Sequence, residues 1–564
     1  MFNQLLSSDL PQSADQLSGA ADLSRQSPLE IPQTARLSAS STDPLADNTL
    51  TTANNLGTLT DKQSLTDFVG ESDAIDYYQF DLATADAVSI FFNGLSAGYT
   101  ADLLSATGSL LQSSTNSGTA WSLTNSGSTS GSITTFLTAG TYALRITPTS
   151  ITGDPLYALP GYTLNLQLHN APNTVTVAAQ NTADAQLADY LCTGTNDQTV
   201  IEQALADINT RGGGTVLLMA GTYNISDNVK VTYNNITLSG VGWSTVLKLV
   251  DKAKLEDAGL LRSAFHSTEE NIRTPYFSNQ NFQHLSLNGN KSGGASYTNS
   301  YANFGTYVDS SFTDIRAHDF PHYGFDPHEN ATVGQPTIRL TMSGNLADHN
   351  VVDGLTIDNC LDSNFFNNIL DANGRHGINI VTASKNNLVT DNVITNNGGN
   401  GIVIQPGGEL NRTSDFNRLT NNVIRSNKLA GILVQLAEGN EISGNTIVNN
   451  AQHGIRLRGA TSSKVTGNTI DDNGTSGTNK YYGIYVDDYS TSGPYVASTN
   501  NLIESNVIRS ASTSYRNAIR ELSSRTDFNT YRKNNLSGSI RKPLSLLGPN
   551  SVESENIVES ENIV

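Results

Sequence analysis

Glycine followed by an apolar residue recurs along the second half of the chain, at Gly324-Phe325, Gly354-Leu355, Gly377-Ile378, Gly401-Ile402, Gly431-Ile432, Gly454-Ile455 and Gly483-Ile484. The intervals between these pairs are 30, 23, 24, 30, 23 and 29 residues. A period near 23, lengthened in places by a loop of about six, is that of a structural repeat rather than of a repeated domain. A second series runs out of phase with the first: Asn368-Ile369-Leu370, Asn392-Val393-Ile394, Asn422-Val423-Ile424, Asn445-Thr446-Ile447 and Asn468-Thr469-Ile470. Each repeat carries at least two short β-prone runs separated by Asn and Gly. That pattern predicts the coils of a parallel β-helix, stacked at roughly 4.8 Å per rung.

Strand alternation then sorts the side chains. One and three places after each glycine stand Phe325/Pro327, Leu355/Ile357, Ile378/Ile380, Ile402/Ile404, Ile432/Val434, Ile455/Leu457 and Ile484/Val486, which fill the interior. Two and four places after it stand Asp326/His328, Thr356/Asp358, Asn379/Val381, Val403/Gln405, Leu433/Gln435, Arg456/Arg458 and Tyr485/Asp487, which face outward. Asp326, His328 and Asp358 thus share one outer face, with Arg375 and His376 at the turn into a following rung.

Upstream the pattern changes. Residues 1–50 are polar with little periodicity and read as a flexible leader. Short alternating runs such as Asp76-Tyr77-Tyr78-Gln79-Phe80-Asp81 and Gly140-Thr141-Tyr142-Ala143-Leu144-Arg145-Ile146 predict a small antiparallel sandwich over 51–170. Residues 170–178 read as a linker. Apolar residues at helical spacing through Ile201, Ala204, Leu205 and Ile208, then Gly212-Gly213-Gly214, predict a short helix turning into a strand. Such a helix would cap the open end of a solenoid spanning 178–545. Longer insertions are expected near 253–278, 292–308, 330–350 and 475–500, and an acidic tail over 546–564.

Composition narrows the classes. Few charged residues and many Gly, Asn, Ser and Thr suit a β-rich extracellular protein. The formal net charge of −20 argues against a nucleic-acid or anionic-membrane binder, while leaving room for a polyanion in a locally basic groove and for Ca²⁺ on acidic loops. Cys192 and Cys360 make no disulfide framework and no metal spacing, and read as packing residues. No run reaches transmembrane length, and the N-terminus lacks the pattern of a cleaved signal, so an extracellular protein is expected, either secreted by a signal-less route or trimmed at its N-terminus.

The outward cluster supports proton transfer. His328 titrates near neutrality, and two carboxylates on adjacent rungs crowd each other so that one stays protonated. A protonated Asp326 or Asp358 neutralises a substrate carboxylate, which acidifies the proton α to it. Tyr323 serves from the other side of such a carbon if Arg375 lowers its phenol pKa. Arg456 and Arg458, several rungs on, suit further carboxylates of a polyanionic chain.

Several strings carry family resemblances. DFVGESDAIDYYQFDL with TAGTYALRI resembles the pre-peptidase C-terminal domains of secreted bacterial enzymes, which implies an accessory module. The segment from Asp189 to Tyr223 resembles the start of pectin-lyase-like right-handed β-helices. HYGFDPHE, VVDGLTIDNC, NGRHGINIVTASKNNLVTDNV and GGNGIVIQ resemble the catalytic module of the bacterial mannuronan C5-epimerases. That resemblance implies conversion of β-D-mannuronate to α-L-guluronate within alginate, a Ca²⁺ dependence, and lyase activity in some members. It implies Tyr323, Asp326, His328 and Asp358 as catalytic residues. Tyr323 and His328 form the acid/base pair in either order, supported by Arg375, His376, Glu329 and Asp353. Lys291 is the lysine available upstream, and no Ca²⁺ ligand set can be matched. The expectation is a monomeric, polymer-level epimerase; its rivals are a uronan lyase working through the same site and a glycan-binding β-helix without turnover.

Overall fold

In the computed structural model, the Gly- and Asn-headed runs pair in parallel, each with its counterpart one repeat later. The structure describes residues 47–558 except 69–74, 95–97, 117–130, 151–160, 170–172, 257, 264–275, 299, 331–333, 478–479, 491–494, 511–514 and 537–542. The expected leader therefore lies outside the described residues up to position 46, as does the second ESENIV copy at 559–564.

A 24-stranded sheet runs along the β-helix from Thr174–Ala178 to Val552–Ser554. An eight-stranded sheet carries the glycine-headed strands, from Leu355–Asp358 through Ile378–Val381, Ile402–Ile404, Ile432–Gln435, Ile455–Arg458 and Tyr481–Asp487 to Leu544–Ser545. Its register is the one the spacing predicts: Leu355, Ile378, Ile402, Ile432, Ile455 and Ile484 stand in line. Phe325 pairs with Leu355 and extends that line upstream. Ile357, Ile380, Ile404, Val434, Leu457 and Val486 are fully buried in the core. The glycine is required because the neighbouring wall comes close: a Cβ at Gly377 would lie 2.2 Å from Ile394 Cγ2, and one at Gly401 2.3 Å from Ile424 Cγ2.

The asparagines have a different task. In the series Asn345, Asn368, Asn392, Asn422, Asn445, Asn468, Asn506, Asn534 and Asn556, each side-chain oxygen after the first accepts two bonds from the asparagine one coil earlier. One comes from its backbone N–H and the other from its side-chain amide. A second series links Asn350, Asn373, Asn397, Asn427, Asn450 and Asn473 in the same way. At a buried bend a backbone N–H has no strand partner and must find another acceptor. The ladder supplies it.

The ends differ from the sequence reading. Thr174–Ala178, within the expected linker, is the first strand of the solenoid and is buried throughout; Asn173 heads it as an asparagine heads later coils, but no repeat precedes it to mark the spacing. The expected tail is the last coil: Val552–Ser554 pairs with Thr530–Arg532, and Asn556 ends the asparagine ladder. Its acidic side chains point outward, so composition hid the coil. Buried Glu521 holds this coil down, accepting bonds from the backbone of Leu547 and Gly548 and from Ser551 Oγ. Segments 292–308 and 330–350 are also not simple insertions. They contribute the strands Asn303–Phe304, Tyr307–Val308, Thr337–Ile338, Thr341–Ser343 and Leu346–Asp348, and Asn330 and Gln335 exchange backbone hydrogen bonds. The helix Gln198–Thr210 covers the other end with Ile201, Ala204, Leu205 and Ile208, as its spacing predicts.

Residues 54–168 form a sandwich of a five-stranded and a four-stranded sheet around their own core. It is antiparallel except where Asn54–Thr58 runs parallel to Asp76–Leu82. It meets the β-helix through Phe91, packed with Leu217 and Val241, and through Lys62 Nζ, 3.1 Å from His284 Nε2. Cys192 and Cys360 are free and buried.

Replacing one rung of the ladder tests its weight. Asn422→Ala leaves the Asn392 N–H and the Val389 carbonyl without their partner, at a cost of about 2 kcal/mol or more. Arg418→Ala, on the exposed side of the same coil, changes stability by less than about 0.5 kcal/mol. Urea unfolding followed by circular dichroism separates the two; equal midpoints would refute a structural role for the ladder.

Candidate active site

The residue before each glycine stands in a single column: Tyr323, Asp353, His376, Asn400, Ala430, His453 and Tyr482. Within it, polar side chains accept a bond from the backbone N–H one rung on. His376 N–H donates to Asp353 Oδ1 (2.9 Å), Asn400 N–H to His376 Nδ1 (3.0 Å), and Ala430 N–H to Asn400 Oδ1 (3.0 Å). Because His376 Nδ1 is an acceptor, the proton of the neutral ring sits on Nε2. Burial, assisted by Arg375, brings the His376 pKa down to about 4 against the pull of Asp353, so the ring is neutral at ordinary pH.

Asp353 is fully buried and organises one half of the site. It accepts a two-pronged pair from Arg375 Nε and Nη2, a bond from Asn379 Nδ2 (3.1 Å) and one from Thr356 Oγ1 (3.2 Å). Burial opposes its charge, yet Arg375 and His376 hold it below the usual carboxylate range. The arginine so fixed lies over the Tyr323 ring, 5.5 Å from its centroid, with Nη2 3.4 Å from the phenol oxygen. The expected lowering of the Tyr323 pKa does not occur. Burial pushes the phenol well above its ordinary value, and Arg375 offsets only part of that.

The other half joins the outward strand residues. His328 Nδ1 lies 3.2 Å from Asp358 Oδ2 and 3.7 Å from Asp326 Oδ1, within ion-pairing range but aligned for a hydrogen bond with neither. Burial disfavours a charged ring here, but the Asp358 and Asp326 carboxylates outweigh it and hold the His328 pKa well above 6.5. Asp326 rises to about 6. Burial is the main cause, His328 pulls it back, and Asp358 and Asp353 push it up. The crowding of carboxylates read from the register is present but secondary to burial. Beyond His328, Glu329 is held below its ordinary pKa, against burial, by Arg412 and Asn359. Arg412 Nη1 and Nη2 reach its oxygens at 2.6 and 2.7 Å, and Asn359 Nδ2 at 2.6 Å.

Aromatic rings join the halves. Tyr301 packs on Tyr323 and His322, and Phe304 stacks on His328 at 4.5 Å. Of the residues singled out from the sequence, Tyr323, Asp326, His328, Asp353, Asp358, Arg375, His376 and Glu329 come together. Lys291 does not. It pairs with Asp319 at 3.1 Å and donates to the His349 carbonyl, because the turn Lys291–Gly293 directs it to another column. Arg456 and Arg458 lie downstream on the same sheet, Arg456 against Asp487 and Arg458 near Gln435. Sequence reasoning missed Arg412, His322, Tyr301, Phe304 and Asn379. Arg412 had a signal, since it sits in the extra residues that stretch one glycine interval to 30.

The resemblance implies Ca²⁺. Among the described residues, the cluster able to offer a metal three converging atoms is Asp326, His328 and Asp358. Calcium takes 6–8 oxygen ligands. Two carboxylates and an imidazole do not fit it, and these three groups are better suited to holding protons.

A family profile described as "Right handed beta helix region" matches residues 405–557. Mannuronan C5-epimerase AlgE2 of Azotobacter vinelandii is 34% identical over 64% of this chain and 36% of its own length. The A-module of mannuronan C-5 epimerase AlgE6 from the same organism superposes with a TM-score of 0.59 at 28% identity, covering 65% of this chain and 96% of the module. Alginate lyase 7 of A. vinelandii is 29% identical over 34% of this chain and 22% of its own length. The chain spans about a third of the length of the curated epimerase AlgE2, and the β-helix is right-handed like the matching modules.

Arg412→Ala tests the clamp on Glu329. Amides of 405–415 should exchange about tenfold faster, equivalent to roughly 1.4 kcal/mol of easier opening. Exchange at the wild-type rate would mean the loop is held by its other contacts.

Proposed function

We propose that this chain is a mannuronan C5-epimerase acting on polymeric alginate, inverting C5 of β-D-mannuronate to give α-L-guluronate. The observation that carries the reading is an anion site made by half-buried Arg375 on buried Asp353, shared with two proton-transfer groups, Tyr323 and His328. The likeness of the β-helix to epimerase A-modules supports it. A substrate of this kind lies outside the cytoplasm, and no helix among the described residues is long and apolar enough to cross a membrane.

The chemistry follows from the charges. H5 is α to a carboxylate, and its removal places a second negative charge on that group, so the site must supply positive charge there. Arg375 and the Nε2–H of His376 face this demand, and Asp353 keeps both in place without approaching the substrate. Asp326, whose pKa is raised to about 6, is ionised where His328 is neutral, and together with Asp358 it faces the imidazole Nδ1. His328 is the base. Its Nδ1 is turned to the two carboxylates and its Nε2 takes H5, the C5–H electron pair passing into the carboxylate. Tyr323, whose raised pKa keeps the phenol protonated, donates its proton to C5 from the opposite face. Solvent then returns a proton to Tyr323 and removes one from His328. If the C4–O4 bond breaks from the same intermediate, its electron pair leaves with O4 and a C4–C5 double bond remains. The similarity to an alginate lyase keeps this outcome in the test. The implied Ca²⁺ enters no step.

Proton NMR of polymannuronate incubated with the protein should show new guluronate signals, with no ultraviolet absorbance from unsaturated ends. Unsaturated ends alone would make the chain a lyase, and neither product would refute the assignment. Tyr323→Phe and His328→Ala should each lower turnover by about a hundredfold or more with the fold retained; near-normal turnover in both would remove them from the mechanism.

The pH dependence has a definite sign. His328 must be neutral to accept H5, and its carboxylate neighbours raise its pKa, so the acid limb of kcat/KM should lie above the ordinary histidine value of about 6.5. Asp358→Asn removes one of those anions. The limb should move to lower pH while the maximal rate falls, and a limb that stayed or rose would refute His328 as the base.

A further inference from the structure

Downstream of the reaction site the same sheet carries a second set of the same groups, built from other positions. Arg456 places Nη2 2.5 Å and Nε 3.1 Å from the oxygens of buried Asp487, as Arg375 does with Asp353. Its guanidinium lies 5.7 Å from the Tyr485 ring centroid, where Arg375 lies 5.5 Å from that of Tyr323. In both pairs Nε and Nη2 serve the aspartate, and Nη1 has no protein partner among the described residues. His453 repeats His376: its Nδ1 accepts from the Tyr482 backbone N–H at 3.1 Å, which leaves the proton on Nε2, and burial with Arg456 nearby brings its pKa down to about 3.

The surroundings differ in two respects. His453, Tyr482 and Tyr485 pack on one another with centroids 4.7 to 5.4 Å apart; His453 and Tyr482 are buried, and Tyr485 is partly exposed. Arg520, over the Tyr482 ring at 5.8 Å, and Arg458 add cations with no carboxylate partner among the described residues. Nothing here matches the Asp326–His328–Asp358 set. The column from His376 to His453 passes three rungs, about 14 Å at roughly 4.8 Å each.

We propose that Arg456, His453, Tyr482, Tyr485 and Arg520 form a second uronate subsite. It holds the carboxylate and ring of a sugar several units away from the one being converted, and does no chemistry. The inference rests on the proposed action on a polyuronate. A bound carboxylate takes Arg456 Nη1 and His453 Nε2–H as donors, with the pyranose against Tyr485. Anchoring a distant unit tightens binding of long chains without new contacts at the reacting carbon.

Because Arg456→Ala would strand the buried Asp487, the test uses the neutral pair Arg456→Gln/Asp487→Asn and, independently, Tyr485→Ala. With oligomannuronates of increasing length, wild-type kcat/KM should step up once the chain reaches from one site to the other. Both variants should lose that step, and KM for polymannuronate should rise about tenfold with little change in kcat. Wild-type length dependence and KM in folded variants would overturn the subsite. Should the wild type convert no uronan, the functional assignment fails by itself. The subsite is then read by titrating polymannuronate, polygalacturonate and neutral dextran. Uronan binding about tenfold weaker in the variants, with dextran unbound, supports the subsite, and equal binding overturns it.

Discussion

The structure depends on satisfying backbone groups at bends that are buried on both sides. Parallel strands give each coil its pairing along the sheets, but the corners between sheets lie inside the molecule, where an unpaired N–H costs as much as a lost hydrogen bond. Stacked asparagines solve this, each amide bridging its own coil and the next. Solvation of the bends thereby also fixes the register. Once Asn392 stands over Asn422, every residue between the ladders is indexed to its equivalent one rung away, and outward side chains form straight columns.

Those columns let a few residues build a site. Tyr323 occupies a position that elsewhere serves the frame, as His376 and Asn400 do by capping the next N–H. Asp353 shows the conversion most clearly. It caps His376 as a structural residue would, and its second oxygen orients Arg375. A fully buried carboxylate is tolerable only with such a set of donors, and the same set makes Arg375 rigid. In the other half the balance is reversed. Asp326 Oδ1, Asp358 Oδ1 and His328 Nδ1 are buried without a hydrogen-bond partner.

A solenoid must also close its ends. The helix Gln198–Thr210 covers one with an apolar face, and at the other Glu521 gathers backbone donors from the last coil. The sandwich packs on the outside of the early coils through Phe91 and through Lys62, whose burial lowers its pKa to about 8. These contacts lie on the 24-stranded sheet and leave the eight-stranded sheet that bears the site to other partners.

Much of this was legible in the chain because a β-helix writes its register into sequence spacing. The glycine intervals placed Asp326 and Asp358 on one face, Leu355 under Ile378, and Cys360 in the core, since a repeat of local strands needs no knowledge of distant segments. The same register put His328 beside the two aspartates and Arg375 at the turn, and resemblance then implied catalytic roles for Tyr323 and His328. The misreadings occurred where local pattern and tertiary role part. The acidic last coil looked like a tail because its outward residues, not the half-buried Asn556, dominate the composition. Lys291 looked like a site residue because nearness in sequence is not nearness in space. The Tyr323 phenol moved up instead of down because burial, which no sequence states, outweighed the arginine beside it. Arg412 reached Glu329 across 83 residues, a contact that depends on how an inserted loop folds back. Spacing by itself determined the coils, the columns and the cluster of acid and base. The tertiary structure alone decided which groups are desolvated, which partner each charge finds, and therefore which of them hold their protons.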